Sequence, residues 1–158
     1  LLCLLDTGCR AGEFAAINIS DVDLATGQIL IRAGKGGKPR VVFLGSKSRK
    51  ALASYLRHVG KREESAPLWI TREYRRLSYS GLRDIARRRA KRASVPAPSL
   101  HSFRRAFALA CLRNGMDIYS LQRLMGHADL TMMRRYLAQT SEDVRKAHQR
   151  SGPVDRFL

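Results

Sequence analysis

Between Val22 and Leu44 the chain departs from helical spacing. Gln28 to Arg32 and Arg40 to Leu44 are rich in Ile and Val, and they flank the glycine-rich stretch Gly34-Lys35-Gly36-Gly37-Lys38. Two β-favouring runs joined by such a turn predict an antiparallel hairpin with a basic tip. Outside it the apolar residues mostly recur at three and four positions, the period of a helix buried on one face. The expected class is therefore α+β, mainly α-helical, with a small antiparallel β-sheet in the N-terminal third.

The helical segments can be bounded from their stop signals. Leu1 to Asp6 is an apolar helix end that Thr7 and Gly8 break before a second short helix, Arg10 to Ile17. Ser46 to Val59 repeats Leu52, Tyr55, Leu56 and Val59 at helical spacing and stops at Gly60. A polar loop, Lys61 to Ala66, leads to a small strand at Leu68 to Ile70. A helix near Ser80 to Ala93 follows, buried along Leu82, Ile85, Ala86 and Ala90.

After Pro96 and Pro98, Leu100 to Asn114 reads as a helix with Phe103, Phe107, Ala110 and Cys111 on its core side. His101 and Arg104, three residues apart, are expected to flank that stripe and to reach one ligand together. Asp117 to Met125 buries Ile118, Leu121 and Leu124, and Gly126 then delivers His127 at the next turn. A helix from Leu130 to Ala138 carries Tyr136, and another runs near Glu142 to Gln149.

At 158 residues the chain suits one domain, residues 1–158, with enough apolar residues for one core. Its first residue looks cut from mid-helix, so a fragment with a further N-terminal part missing is expected. Cys3, Cys9 and Cys111 show no metal-ligand spacing and fit a reduced, cytoplasmic protein. The longest apolar runs fall far short of a membrane span.

Charge narrows the partner. Thirty Lys and Arg against thirteen Asp and Glu leave a formal +17, which calls for a polyanion. A ribosomal protein, a heparin binder or a peripheral membrane protein could carry a similar excess, but nucleic acid is the first expectation. Arg87, Arg88, Arg89, Lys91 and Arg92 crowd one helix. A charge run is usually a solvated face. Here the mutual repulsion favours phosphate contacts, which release counterions. Arg87, Arg88, Lys91 and Arg92 are thus expected to touch the DNA backbone, with Lys38 and Arg40 of the hairpin.

Arg10, Lys35, His101, Arg104, His127 and Tyr136 each fall near the end of an element or on the hairpin tip, where side chains can converge. Singly each has a dull explanation, a tyrosine in a helix above all. Their order argues otherwise. The segments Thr7-Gly8-Cys9-Arg10-Ala11-Gly12-Glu13, Gly34-Lys35-Gly36-Gly37-Lys38-Pro39-Arg40, His101-Ser102-Phe103-Arg104, Leu124-Met125-Gly126-His127 and Arg134-Arg135-Tyr136-Leu137 resemble, in that sequence, the motifs of the tyrosine recombinase (phage integrase) family. The resemblance spans nearly the whole chain, and it implies the family's catalytic-domain fold.

What it implies for the residues is specific. Arg10 and Arg104 would clamp a phosphate, with Glu13 supporting the first of them. Lys35 matches the hairpin lysine, Lys38 being the runner-up. His101 and His127 match two histidines, and Tyr136 matches the nucleophile that forms a 3′-phosphotyrosyl link.

The chemistry is coherent by itself. A phosphodiester is anionic and slow to cleave, so its oxygens must be neutralised as charge redistributes, and the planar arginine fork suits that task. Tyrosine is ionised in only about one molecule in a thousand at neutral pH, so proton transfer must accompany attack. His101 is the expected acceptor or hydrogen-bonding partner and His127 a phosphate-binding and orienting group, two roles that can overlap, and Lys35 is the acid for the departing 5′ oxygen.

No cofactor is expected, because the phosphotyrosyl ester conserves the energy of the bond. No metal is expected either: Asp21, Asp23, Glu63, Glu64, Asp84, Asp117 and Asp129 are scattered, and arginines and a lysine would supply the charge. The partner would be double-stranded DNA, bound by a free monomer that becomes a tetramer on paired sites. A type IB topoisomerase, or a DNA-binding regulator on the same fold, are the competing readings.

Overall fold

The computed structural model describes residues 1–32, 38–126, 144–145, 148–150, 152 and 154. The chain divides into two compact units, Leu1–Ala128 and Asp129–Leu158. In the second unit the described residues include a hydrogen bond from the Gly152 amide to the His148 carbonyl at 2.6 Å. The expected helix over 130–138 lies outside the described residues, and in the one expected near 142–149 the described residues 144–145 and 148–149 are helical.

In the first unit the order is helix α1 (Leu2–Thr7), helix α2 (Ala11–Ala16), a 3-10 turn (Ile19–Asp21), strands β1 (Val22–Asp23), β2 (Gln28–Ile31) and β3 (Arg40–Phe43), then helices α3 (Ser46–Val59), α4 (Tyr79–Arg92), α5 (Leu100–Arg113) and α6 (Ile118–Met125). The three strands form one antiparallel sheet in chain order. The mainly helical α+β class and the hairpin are as expected. The two-residue β1, paired Val22 to Ile29 and Asp23 to Gln28, is an addition.

Local chemistry starts and stops these elements. Ser78, Ser99 and Asp117 each accept a hydrogen bond from the amide three residues on, capping α4, α5 and α6. Gly8 and Gly126 end α1 and α6 in the left-handed region, at φ +60° and +61°, where a side chain would be strained. Both turns sit beside the candidate site.

Leu4, Ile29, Val42, Leu52 and Leu68 are fully buried in one cluster, so α1, the sheet and α3 share one apolar interior, and α6 buries Leu121 and Met125. Phe14 stacks on Trp69 with ring centroids 4.6 Å apart, which seats α2 on the segment after α3. That segment is not the small strand expected at Leu68 to Ile70. Only single bridges form, Asn18 with Pro67 and Ile70 with Arg76. Between them the Tyr55 hydroxyl donates to the Leu68 carbonyl and accepts from the Ile70 amide, both at 3.1 Å. A phenol thereby satisfies backbone groups that a strand partner would otherwise take.

Helix α5 also departs from expectation. Its buried residues are Leu100, Arg104 and Ala108, while Phe103, Phe107 and Cys111 are half-buried and Ala110 is exposed. The helix is turned so that a guanidinium, not an aromatic ring, occupies the middle of its inner face. Among the described residues no helix is long and apolar enough to cross a membrane.

Candidate active site

Arg10 is the N-cap of α2, held extended at φ −66° and ψ 145° immediately after the Gly8 turn. Glu13 lies in the first turn of that helix and reaches back to its N-cap. Its carboxylate accepts from the Arg10 amide at 2.9 Å and from Arg10 Nη1 at 2.8 Å. A carboxylate here also meets the positive end of the helix. The Arg10 side chain keeps 35% of its surface exposed, so one edge of the guanidinium is tied down and another faces out.

Arg104 is the opposite case. The residue is 3% exposed, a correction to its expected place flanking the apolar stripe. Its Nη1 donates to the Gly8 carbonyl at 2.7 Å and its Nη2 to the Met125 carbonyl at 2.6 Å. Those oxygens belong to the C-terminal ends of α1 and α6, which lack intrahelical partners and favour a cation. One guanidinium thus ties two helix ends together, and a group with five donor hydrogens retains others.

Arg10, His101 and Arg104 line one cavity of about 210 Å³, with Cys9, Gly12 and Tyr79 among its other walls. His101 is exposed in the first turn of α5, one helical turn before Arg104. Cys9 is buried, and that burial raises its thiol pKa, making it a neutral wall instead of a nucleophile.

Electrostatics make the cavity a place for an anion. Burial would raise the Glu13 carboxyl, but hydrogen bonds from Arg40 and Arg10 outweigh it and hold the pKa at about 2. Burial first, and then repulsion from Arg10 and Arg40, lower the Arg104 pKa to about 10. Arginine nonetheless stays charged at neutral pH. Three guanidinium groups against one carboxylate leave two surplus positive charges, and a phosphate would offset the cost of holding them together.

Arg40 is the main revision among the expected DNA contacts. Its side chain is 9% exposed and is engaged by Glu13 and by the Leu124 carbonyl, so its charge is spent inside the protein. The clue was present in the sequence: strand alternation puts Arg40 on the same face as the apolar Val42. Tyr79, the first residue of α4, was not anticipated; a single tyrosine after a serine cap gives no distinguishing signal.

Lys38, Arg87, Arg88, Lys91 and Arg92 are exposed, the last four along α4. Asp84 stands 4.0 Å from Arg87, too far and too solvated to quench it. Lys35, His127 and Tyr136 lie outside the described residues. Among the described residues no three His, Cys, Asp or Glu side chains gather as a metal-binding set.

The model of the phage integrase family matches residues 1–143. The tyrosine recombinase XerA of Thermococcus kodakarensis is 30% identical over 161 residues, covering 100% of this chain and 56% of that protein. The tyrosine recombinase XerD of Ralstonia nicotianae is 33% identical over 153 residues, covering 93% of this chain and 49% of that protein. A crystal structure of XerA recombinase superposes with a TM-score of 0.78 at 33% identity, over 95% of this chain and 56% of that one. The chain therefore spans about half the length of these relatives.

Proposed function

The chain belongs to the phage integrase family, and on that footing we propose that it carries the strand-cleaving chemistry of a site-specific DNA recombinase. The observation that carries this reading is the convergence of Arg10, His101 and Arg104 on one cavity with two surplus positive charges. Such a cavity fits the non-bridging oxygens of a phosphodiester.

In the proposed reaction the Tyr136 phenolic oxygen attacks the phosphorus, forming a P–O bond, and the bond from phosphorus to the 5′ oxygen breaks. His101 accepts the phenolic proton, and Lys35 donates one to the departing 5′ oxygen. Arg10 and Arg104 hold the equatorial oxygens as their charge changes, and His127 orients them. A 5′ hydroxyl from another strand then attacks the 3′-phosphotyrosyl ester and releases Tyr136. One phosphoester replaces another at each step, so the bond's energy is conserved without a nucleotide cofactor.

Double-stranded DNA is the proposed substrate, and a monomer that assembles to a tetramer on paired sites is the proposed working form, acting in the cytoplasm. The exposed basic face of α4, with Lys38, supplies sequence-independent contacts to the backbone.

The test is a suicide substrate, a nicked duplex carrying a recombination site, with peptide mapping of the covalent product. Tyr136→Phe should abolish the adduct and leave duplex binding within about twofold. An adduct that persists in that variant would overturn the assignment of the nucleophile. Relaxation of supercoils without strand exchange would favour the topoisomerase reading.

A further inference from the structure

Arg40 opens β3, opposite Ile31 at the end of β2, where the connection containing Lys35 leaves the sheet. Strand alternation turns it inward with Val42, while Val41 and Phe43 face solvent. All three guanidinium nitrogens are engaged. Nη2 and Nη1 donate to Glu13 Oε2 and Oε1 at 2.6 and 3.2 Å, and Nε donates to the Leu124 carbonyl at 2.8 Å.

Each partner leads to the site. The same Glu13 carboxylate accepts from the amide and the side chain of Arg10. Leu124 precedes Met125, whose carbonyl accepts from Arg104. Gly126, the residue before His127, lies against Arg40: a Cβ there would sit 3.0 Å from Arg40 Cδ.

We propose that Arg40 is a positioning residue for strand cleavage, which without touching DNA fixes the carboxylate that aims Arg10 and the helix end that Arg104 grips. This rests on the cleavage reading given above. A buried ion pair contributes little net stability compared with apolar packing, so the consequence of this one is geometric. Only a planar fork with a third donor on its edge can serve a carboxylate and a carbonyl at once. Glu13 is faced by Arg10 from its own helix and by Arg40 from β3, with Arg104 near. Without Arg40 that carboxylate is free to rotate toward either remaining cation. A shift of about 1 Å in a phosphate-clamping group is enough to slow chemistry on the order of a hundredfold.

The experiment compares Arg40→Gln and Arg40→Lys with the unsubstituted chain on the suicide duplex. It measures single-turnover cleavage per folded molecule, duplex Kd and the salt dependence of Kd. Arg40→Gln should cleave about a hundredfold more slowly, with Kd and its salt slope unchanged within twofold. Arg40→Lys should recover part of the loss. Arg10→Ala should cost less in the Arg40→Gln background than alone, because both act through one arrangement.

An unchanged cleavage rate in Arg40→Gln would overturn the inference, as would a parallel loss of affinity and salt slope, which would make Arg40 a phosphate contact. A loss that vanishes once cleavage is counted per folded molecule would also overturn it, as would one that adds fully to that of Arg10→Ala, by reducing Arg40 to a structural pair. If Arg40→Gln does not fold, Arg40→Lys decides by the same criteria. No adduct from the unsubstituted chain would defeat the cleavage reading itself; an adduct with indifferent Arg40 variants defeats only the positioning role.

Discussion

The Gly8 carbonyl accepts a 2.7 Å hydrogen bond from Arg104, 96 residues further along the chain. That bond joins the turn that presents Arg10 to the helix that presents His101. Gly8 is constrained from its other side as well, since a Cβ there would fall 2.2 Å from Phe107 Cδ1.

Gly8→Ala should therefore destabilise the fold by about 2–4 kcal/mol, combining left-handed strain with overpacking against a ring. Thermal or urea unfolding measures it. Equal stability of the variant and the parent would show that α5 does not lie against this turn.

Arg104→Lys should fail to substitute. A single ammonium cannot span the two carbonyls that the arginine fork reaches, and under the proposed chemistry it would lose the planar fork that suits a phosphate. Removing the group altogether, as Arg104→Ala, should raise the cleavage barrier by about 3 kcal/mol or more, read as a fall of over a hundredfold in single-turnover rate.

Glu13 makes acid a specific threat to this site. Its carboxyl titrates at about 2 in the folded protein against an ordinary value of 4.5. A depressed acid contributes stability that is fully present above the unfolded value and is lost as pH falls through the folded one. Stability should thus decline between about pH 4.5 and 2, by on the order of 3 kcal/mol from this group. Denaturant titrations of the parent and Glu13→Gln measure it: the variant should be weaker at neutral pH and should lack that part of the decline.

Orthophosphate should stabilise the chain through the surplus charge at Arg10 and Arg104. At a concentration a hundred times its Kd, linkage gives about 2.7 kcal/mol. Melting temperature against phosphate at constant ionic strength measures it, and Arg10→Ala should flatten the response.

The exposed face of α4 should act differently from the cavity. Arg88→Ala and Lys91→Ala should each lower the slope of log K against log salt by about 1 and weaken binding alike for all duplex sequences. Cleavage of bound duplex should change little. A fall in one sequence's affinity alone would mean that this face reads bases.

Much of this was legible along the chain because it is local. The paired strands, α3 and the extents of α5 and α6 follow from period and from proline and glycine stops, signals that close within four residues. The order of the motifs pointed to the family for the same reason. Arg87, Arg88, Lys91 and Arg92 could be placed on an exposed face because Leu82, Ala86 and Ala90 claim the buried one.

What the sequence determined by itself, for Arg10, His101 and Arg104, is the helix that bears each of them and its place near that helix's start. Tertiary structure alone decided that Arg104 faces inward and that Arg40 is spent on Glu13. Buried guanidinium groups must find oxygen partners, and the carboxylate and the helix-end carbonyls that satisfy them come from segments 21 to 96 residues away for Arg104 and 27 to 84 for Arg40. No local pattern encodes that pairing; only the packed core brings those oxygens within reach.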